Sequence, residues 1–120
     1  MKIAVTSQEN NLDANVDPRF GRAKYFLIAD TESDETEFVD NEQNLASASG
    51  AGVQSAQHVV NSGVQAVLTG HCGPKAFRAL QAAGIVIYTG VEGAVKQAID
   101  DFKSGKLTQA QSADVKGHWS

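Results

Sequence analysis

Apolar positions in the first forty residues come in short runs rather than at helical spacing. "KIAVT" (2–6) is a β-branched run closed by polar residues and predicts a first strand. "KYFLIAD" (24–30) predicts a second, apolar enough to lie centrally, and "TEFVD" (36–40) a polar third strand at an edge. Only "TESDE" joins the second to the third, so the two should form an antiparallel hairpin. Residues 7–23 show neither period and are dense in Asn, Asp, Pro and Gly. A connection that long inside a small domain is often a functional loop.

From about residue 50 the pattern changes to helices alternating with strands. Residues 50–63 predict a helix with Val53, Ala56 and Val60 inward, Gln54, His58 and Asn61 outward, and Gly63 at its end. A strand follows at 65–69, then a helix at 74–84 with Ala76, Phe77, Leu80 and Ala83 inward. The all-apolar "IVIYTG" (85–90) reads as a strand covered on both faces. Val95, Ala98, Ile99 and Phe102 then mark the inner face of a helix over 92–105. The alternation builds parallel strands through right-handed crossovers. If the first strand pairs with the strand at 65–69, an α/β sheet of order 3-2-1-4-5 results, with only strand 2 antiparallel and helices on both faces. Strand order reverses between strands 1 and 4, and open α/β sheets bind ligands at such a switch point. Loops 7–23 and 70–74 should meet there. The whole is one domain over 1–107, followed by a polar tail over 108–120.

Composition narrows the function classes. The chain has 120 residues, 42% hydrophobic and 20% charged, with a net charge of −4. No broad basic face for nucleic acid is suggested. Seven acids lie between Asp30 and Glu42, whereas Arg19, Arg22 and Lys24 cluster just before them. The N-terminus does not read as a signal peptide, and no segment approaches the roughly 20 apolar residues of a membrane span. A cytoplasmic location is therefore expected. A single cysteine excludes an internal disulfide and any Cys-only zinc or iron–sulfur site.

Two stretches could carry chemistry. In "GHCGPKAF" (70–77) Gly73 suits a helix N-cap and Pro74 the first helical position, which places His71 and Cys72 just outside the helix. The helix dipole is worth about 0.3–1 kcal/mol, less than one pKa unit, too little alone to make Cys72 a thiolate. The stretch reads equally as a plain strand–turn–helix junction. In "VDPRFGRAKYF" (16–26) Arg19 and Arg22 flank Phe20-Gly21 and offer several N–H donors to an anion. Alternatively they pair with Asp13, Asp17 or the acids of 30–42. His58 should be solvated on the polar face of its helix, and Trp119 beside His118 could fold over a site. His58, His71, Cys72 and His118 lack zinc-ligand spacing. There is no phosphate loop, nucleophile elbow or HExxH. The first and fourth strands hold no acid, so a two-metal nuclease lacks its ligands. Enzymatic activity is not expected.

"VDPRFGRAKYFLI", "GHCGPKAFRALQAAGIVIYTG" and "AIDDFKSGKL" together resemble the dinitrogenase iron–molybdenum cofactor-binding family, from Met1 to about Leu107. The "VKGHW" ending is similar to stand-alone members, nearest to the orange-protein type of sulfate-reducing bacteria, which hold a molybdenum–copper sulfide cluster. The resemblance implies a ribonuclease H-like three-layer fold without nuclease activity. It also implies non-covalent carriage or storage of an anionic Mo–Cu sulfide or related Mo/Fe–S cluster, with cluster donor or acceptor proteins as partners. Carried over residue by residue, the site would comprise Arg19, Phe20, Gly21, Arg22, Gly70, His71, Cys72, Gly73, Pro74 and Lys75, with His71 and Cys72 as candidate metal ligands. A monomer is expected, with Arg19, Arg22, Lys24 and Lys75 neutralising charge and Phe20 and Trp119 excluding water. Two rivals remain: a module binding a small phosphorylated or organic anion, and a redox or interaction protein working through Cys72.

Overall fold

Residues 1–41 and 51–113 are described in the computed structural model. Five strands form one sheet: β1 (Lys2–Ser7), β2 (Tyr25–Asp30), β3 (Thr36–Asp40), β4 (Ala66–Leu68) and β5 (Val86–Tyr88). Among the described residues three α-helices accompany them: α1 (Ala51–Asn61), α2 (Pro74–Ala82) and α3 (Val95–Lys103). The order is β3-β2-β1-β4-β5, with β2 antiparallel to both neighbours and β1, β4 and β5 mutually parallel. This is the α/β architecture expected from the alternation of runs.

Strand alternation divides the core in two. Ala4, Phe26, Ile28, Val67 and Ile87 point to one face, where Ala56 and Val59 of α1 and Ala76, Phe77 and Leu80 of α2 cover them. Ile3, Val5, Leu27, Ala29, Ala66 and Leu68 point to the other, against Val95, Ala98 and Ile99 of α3. Side chains such as Phe26, Leu27, Leu68 and Leu80 are almost fully buried. Each contributes about 1.5–3 kcal/mol of transfer free energy.

Three expectations shift. The buried face of α1 is Gly52, Ser55, Ala56 and Val59, while Val53 is 41% exposed. Small residues at 52, 55 and 56 let this helix come close to the sheet and to a 3-10 turn over Phe20–Arg22. Apolarity alone could not reveal that choice. His58 consequently turns partly inward: its ring meets Phe26 edge-on at 6.0 Å, and its Nδ1 lies 3.5 Å from Asn41 Oδ1. Ala83 is exposed because α2 ends at Ala82, and Gly84 takes φ +77° just beyond. The proposed start of the first helix at residue 50 lies outside the described residues, as do His118 and Trp119. Of the polar tail, Gln109 forms an antiparallel bridge to Tyr88, and the Ala110 N–H donates to the Ile87 carbonyl at 2.8 Å. The outer edge of β5 is thereby partly covered. Among the described residues no helix is long and apolar enough to cross a membrane.

Candidate functional site

The long loop after β1 is held by backbone and hydroxyl groups rather than by its own secondary structure. The Asp17 N–H donates to the Thr6 carbonyl at 2.9 Å, and the Thr6 hydroxyl donates back to the Asp17 carbonyl at 2.8 Å. The Thr69 hydroxyl stands 3.0 Å from that of Thr6, so these two threonines lace β1, the loop and the end of β4 together. A Thr hydroxyl has one proton to give, so Thr69 donates to Thr6 here. Farther along, one carboxylate oxygen of Asp17 accepts the Arg19 N–H at 3.0 Å, fixing a turn at Pro18. The Phe20 N–H then donates to the His71 carbonyl at 3.1 Å, within a parallel bridge between residues 19 and 71. "PRFGR" and "GHCGP" are thus direct neighbours at the switch point between β1 and β4.

Gly70 makes this contact sterically possible. A Cβ on it would lie 2.7 Å from both Cα and the carbonyl oxygen of Pro18. Real Cβ atoms do not approach backbone so closely, so position 70 admits only glycine while the loops remain packed.

Two clefts open beside this junction. The larger, about 430 Å³, is lined by Gln8, Asp17, Arg19, Arg22 and Lys24. The smaller, about 190 Å³, is lined by Pro18, Gly70, His71, Gly90, Val91 and Glu92. The larger cleft sets three cations against one carboxylate, and no acid elsewhere among the described residues pairs with them. Asp13 pairs with Lys96 at 2.7 Å, Asp34 with Lys103, and Asp30 with the N-terminal amine at 3.7 Å. Among the described residues Arg19, Arg22 and Lys24 form no ion pair. The alternative in which these arginines serve surface salt bridges is therefore overturned for every acid within the described residues. Asp17 is only 8% exposed, and burial pushes its carboxyl above the ordinary value, opposed by the Arg19 N–H and guanidinium.

The other anticipated residues divide by burial. Phe20 is fully buried and stacks obliquely on Phe26 at 5.5 Å, so its ring serves the core rather than the cleft. Gly21 and Gly73 are buried, Pro74 is half-buried at the first position of α2, and Lys75 is exposed outside both clefts. Cys72 is 0% exposed within the cluster containing Phe20 and Phe77, with Sγ 3.8 Å from the Gly73 carbonyl. His71 is half-buried on the wall of the smaller cleft. Among the described residues no three His, Cys, Asp or Glu side chains are placed to hold a metal ion. The sequence reading missed Gln8, the cleft position of Asp17, and the turn over 89–93. That turn had a signal in "TGVEG": Gly90 and Gly93 both take positive φ, at 73° and 87°.

Comparison with known proteins bears on this geometry. Residues 1–105 match the family model described as "Dinitrogenase iron-molybdenum cofactor". The apo form of the orange protein from Desulfovibrio gigas is 43% identical, with a TM-score of 0.93 over 95% of this chain and 96% of that one. A Thermotoga protein described as NifB-like and placed in the DUF35 family is 37% identical, with a TM-score of 0.83 over 95% of this chain and 97% of that one. An uncharacterized protein of Methanocaldococcus jannaschii is 33% identical over 109 residues, 89% of each chain.

Proposed function

The chain belongs to the dinitrogenase iron–molybdenum cofactor family, and from that premise we propose that its larger cleft holds an anionic metal–sulfur cluster for carriage or storage. The observation that carries this reading is the set of cations Arg19, Arg22 and Lys24, which form no ion pair among the described residues and line a cleft of about 430 Å³. An anion about 4 Å from one guanidinium gains roughly 4 kcal/mol at an effective dielectric of 20, before desolvation and screening are subtracted. Several such contacts suffice without a protein-to-metal bond. Likeness to the orange protein favours a Mo–Cu sulfide cluster, and the family description a related Fe–Mo cluster. The sheet order favours the ribonuclease H-like form of this fold.

In this account the protein carries its cargo as a cytoplasmic monomer between donor and acceptor proteins and performs no reaction on it. His71 is the more accessible of the two candidate ligands, because Cys72 must first be uncovered. That burial also speaks against the rival in which Cys72 works as an exposed redox thiol. A phosphorylated or organic anion remains the competing cargo, since arginines suit phosphate equally. Protein purified from its source cells should carry molybdenum, with visible absorption. Colourless, metal-free protein that takes up neither thiomolybdate nor copper would refute the reading. A melting point raised by nucleotides and not by thiomolybdate would favour the competing cargo.

A further inference from the structure

The reading of the larger cleft as an anion site leaves one residue out of place. Asp17 is a carboxylate 92% shielded from solvent, yet it lines a cleft whose other charged members are Arg19, Arg22 and Lys24. One of its oxygens accepts the Arg19 N–H, while the second has no protein donor among the described residues. A buried lone pair aimed at an anion is repulsive; a proton on it converts the repulsion into a hydrogen bond.

We propose that Asp17 is a proton-carrying contact of the bound anion: its second oxygen takes a proton from solvent when the anion enters and donates the O–H to it. The inference rests on the anion reading of the cleft and deepens it by assigning a donor no cation supplies. The surroundings suit the role. Thr6 and Thr69, beneath Asp17, are uncharged, and Gln8 in the cleft is neutral. Glu9 and Asp13 are exposed on the outer loop, with Asp13 held by Lys96. Glu92 lines the smaller cleft beside Pro18, and His71 meets Arg19 through the backbone bridge. Burial already raises the Asp17 carboxyl above its ordinary value, and an arriving negative charge raises it further.

Linkage fixes the sign: anion affinity strengthens as pH falls, by at most about tenfold per pH unit between the carboxyl's free and bound pKa. Sulfate, whose charge is constant from pH 5.5 to 8, is titrated against the full chain by NMR, following the Arg19 amide. Tetrathiomolybdate is titrated at pH 7 and 8, with proton uptake read by calorimetry in two buffers of different ionisation enthalpy. Wild-type protein should take up protons with either anion. Asp17→Asn keeps the acceptor for the Arg19 N–H and supplies a permanent donor. It should bind at least as tightly at pH 8, with no pH slope and no proton uptake. A purely structural Asp17 would leave the slope unchanged in that variant, and this result overturns the proposal, as does lost binding in Asp17→Asn. Proton-linked sulfate binding without tetrathiomolybdate binding would sink the cluster reading and keep Asp17. Binding of both anions without proton uptake would do the reverse, and binding of neither would end both.

Discussion

Replacing Gly70 by alanine tests the junction on which the site depends. The new Cβ would sit 2.7 Å from Cα and carbonyl oxygen of Pro18, whereas carbon contacts are optimal at about 3.5–4.0 Å. Both obstacles are backbone, so no rotamer change relieves them, and the two loops must part by roughly an ångström. Parting them strains two hydrogen bonds, Phe20 N–H to the His71 carbonyl at 3.1 Å and Gly90 N–H to the Gly70 carbonyl at 2.8 Å. Overpacking costs about 1–3 kcal/mol and each lost bond about 0.5–1.5 kcal/mol, so a total of about 2–6 kcal/mol is expected. For a domain of this size each kcal/mol lowers Tm by about 3–6 °C. Urea unfolding followed by circular dichroism measures the loss. Gly84→Ala is the control: φ there is +77° with nothing within 4 Å of a Cβ, so it pays only the left-handed backbone cost of about 1–2 kcal/mol. Gly70→Ala should also weaken anion uptake, and Gly84→Ala should not. A Gly70→Ala protein within about 0.5 kcal/mol of wild type, with uptake intact, would refute the close-approach argument.

Four further outcomes follow from the same geometry. Asn41 is fully buried and its amide donates to the Ala23 carbonyl at 2.8 Å and Ser55 Oγ at 3.0 Å; Asn41→Ala should cost about 1–3 kcal/mol in urea unfolding. Phe20→Ala should cost about 3–5 kcal/mol, since its ring fills the core; a change under about 1 kcal/mol would return Phe20 to the surface. Cys72 should react with a thiol reagent only after unfolding, and Cys72→Ala should keep anion uptake; rapid alkylation of the folded protein would contradict its burial. Asp17 ionises against burial, so the native state holds its proton more tightly than the unfolded chain. Its contribution is then favourable below the unfolded value of 3.8 and declines as pH rises through the folded one. Asp17→Asn should therefore be more stable than wild type at neutral pH and flatten that decline in a stability–pH series.

The sheet was legible because β1, β2 and β4 alternate over two buried faces, and the helices because Phe77, Leu80, Val95 and Ile99 recur at helical spacing. The inner face of α1 was not, because Gly52, Ser55 and Ala56 are chosen for close approach, a tertiary demand with no apolar signature. In the site, the meeting of "PRFGR" with "GHCGP" followed from topology alone. The fate of the arginines did not follow. It depends on Lys96 and Lys103 engaging Asp13 and Asp34, pairings across long sequence separations that no local pattern announces. Cys72 and Phe20 looked like site residues by their motifs, yet the strand–turn–helix junction directs Cys72, and the 3-10 turn directs Phe20, into the core.

The central claim, that Arg19, Arg22 and Lys24 of the larger cleft hold an anionic metal–sulfur cluster, is tested most directly by equilibrium uptake. Metal-free protein is incubated with tetrathiomolybdate, with and without copper, desalted, and assayed for molybdenum and visible absorption. Arg19→Ala/Arg22→Ala is carried in parallel, with its fold checked by circular dichroism. The account predicts coloured wild-type protein retaining stoichiometric molybdenum and a folded double variant retaining much less. Equal retention by both proteins, or none by wild type, would contradict it.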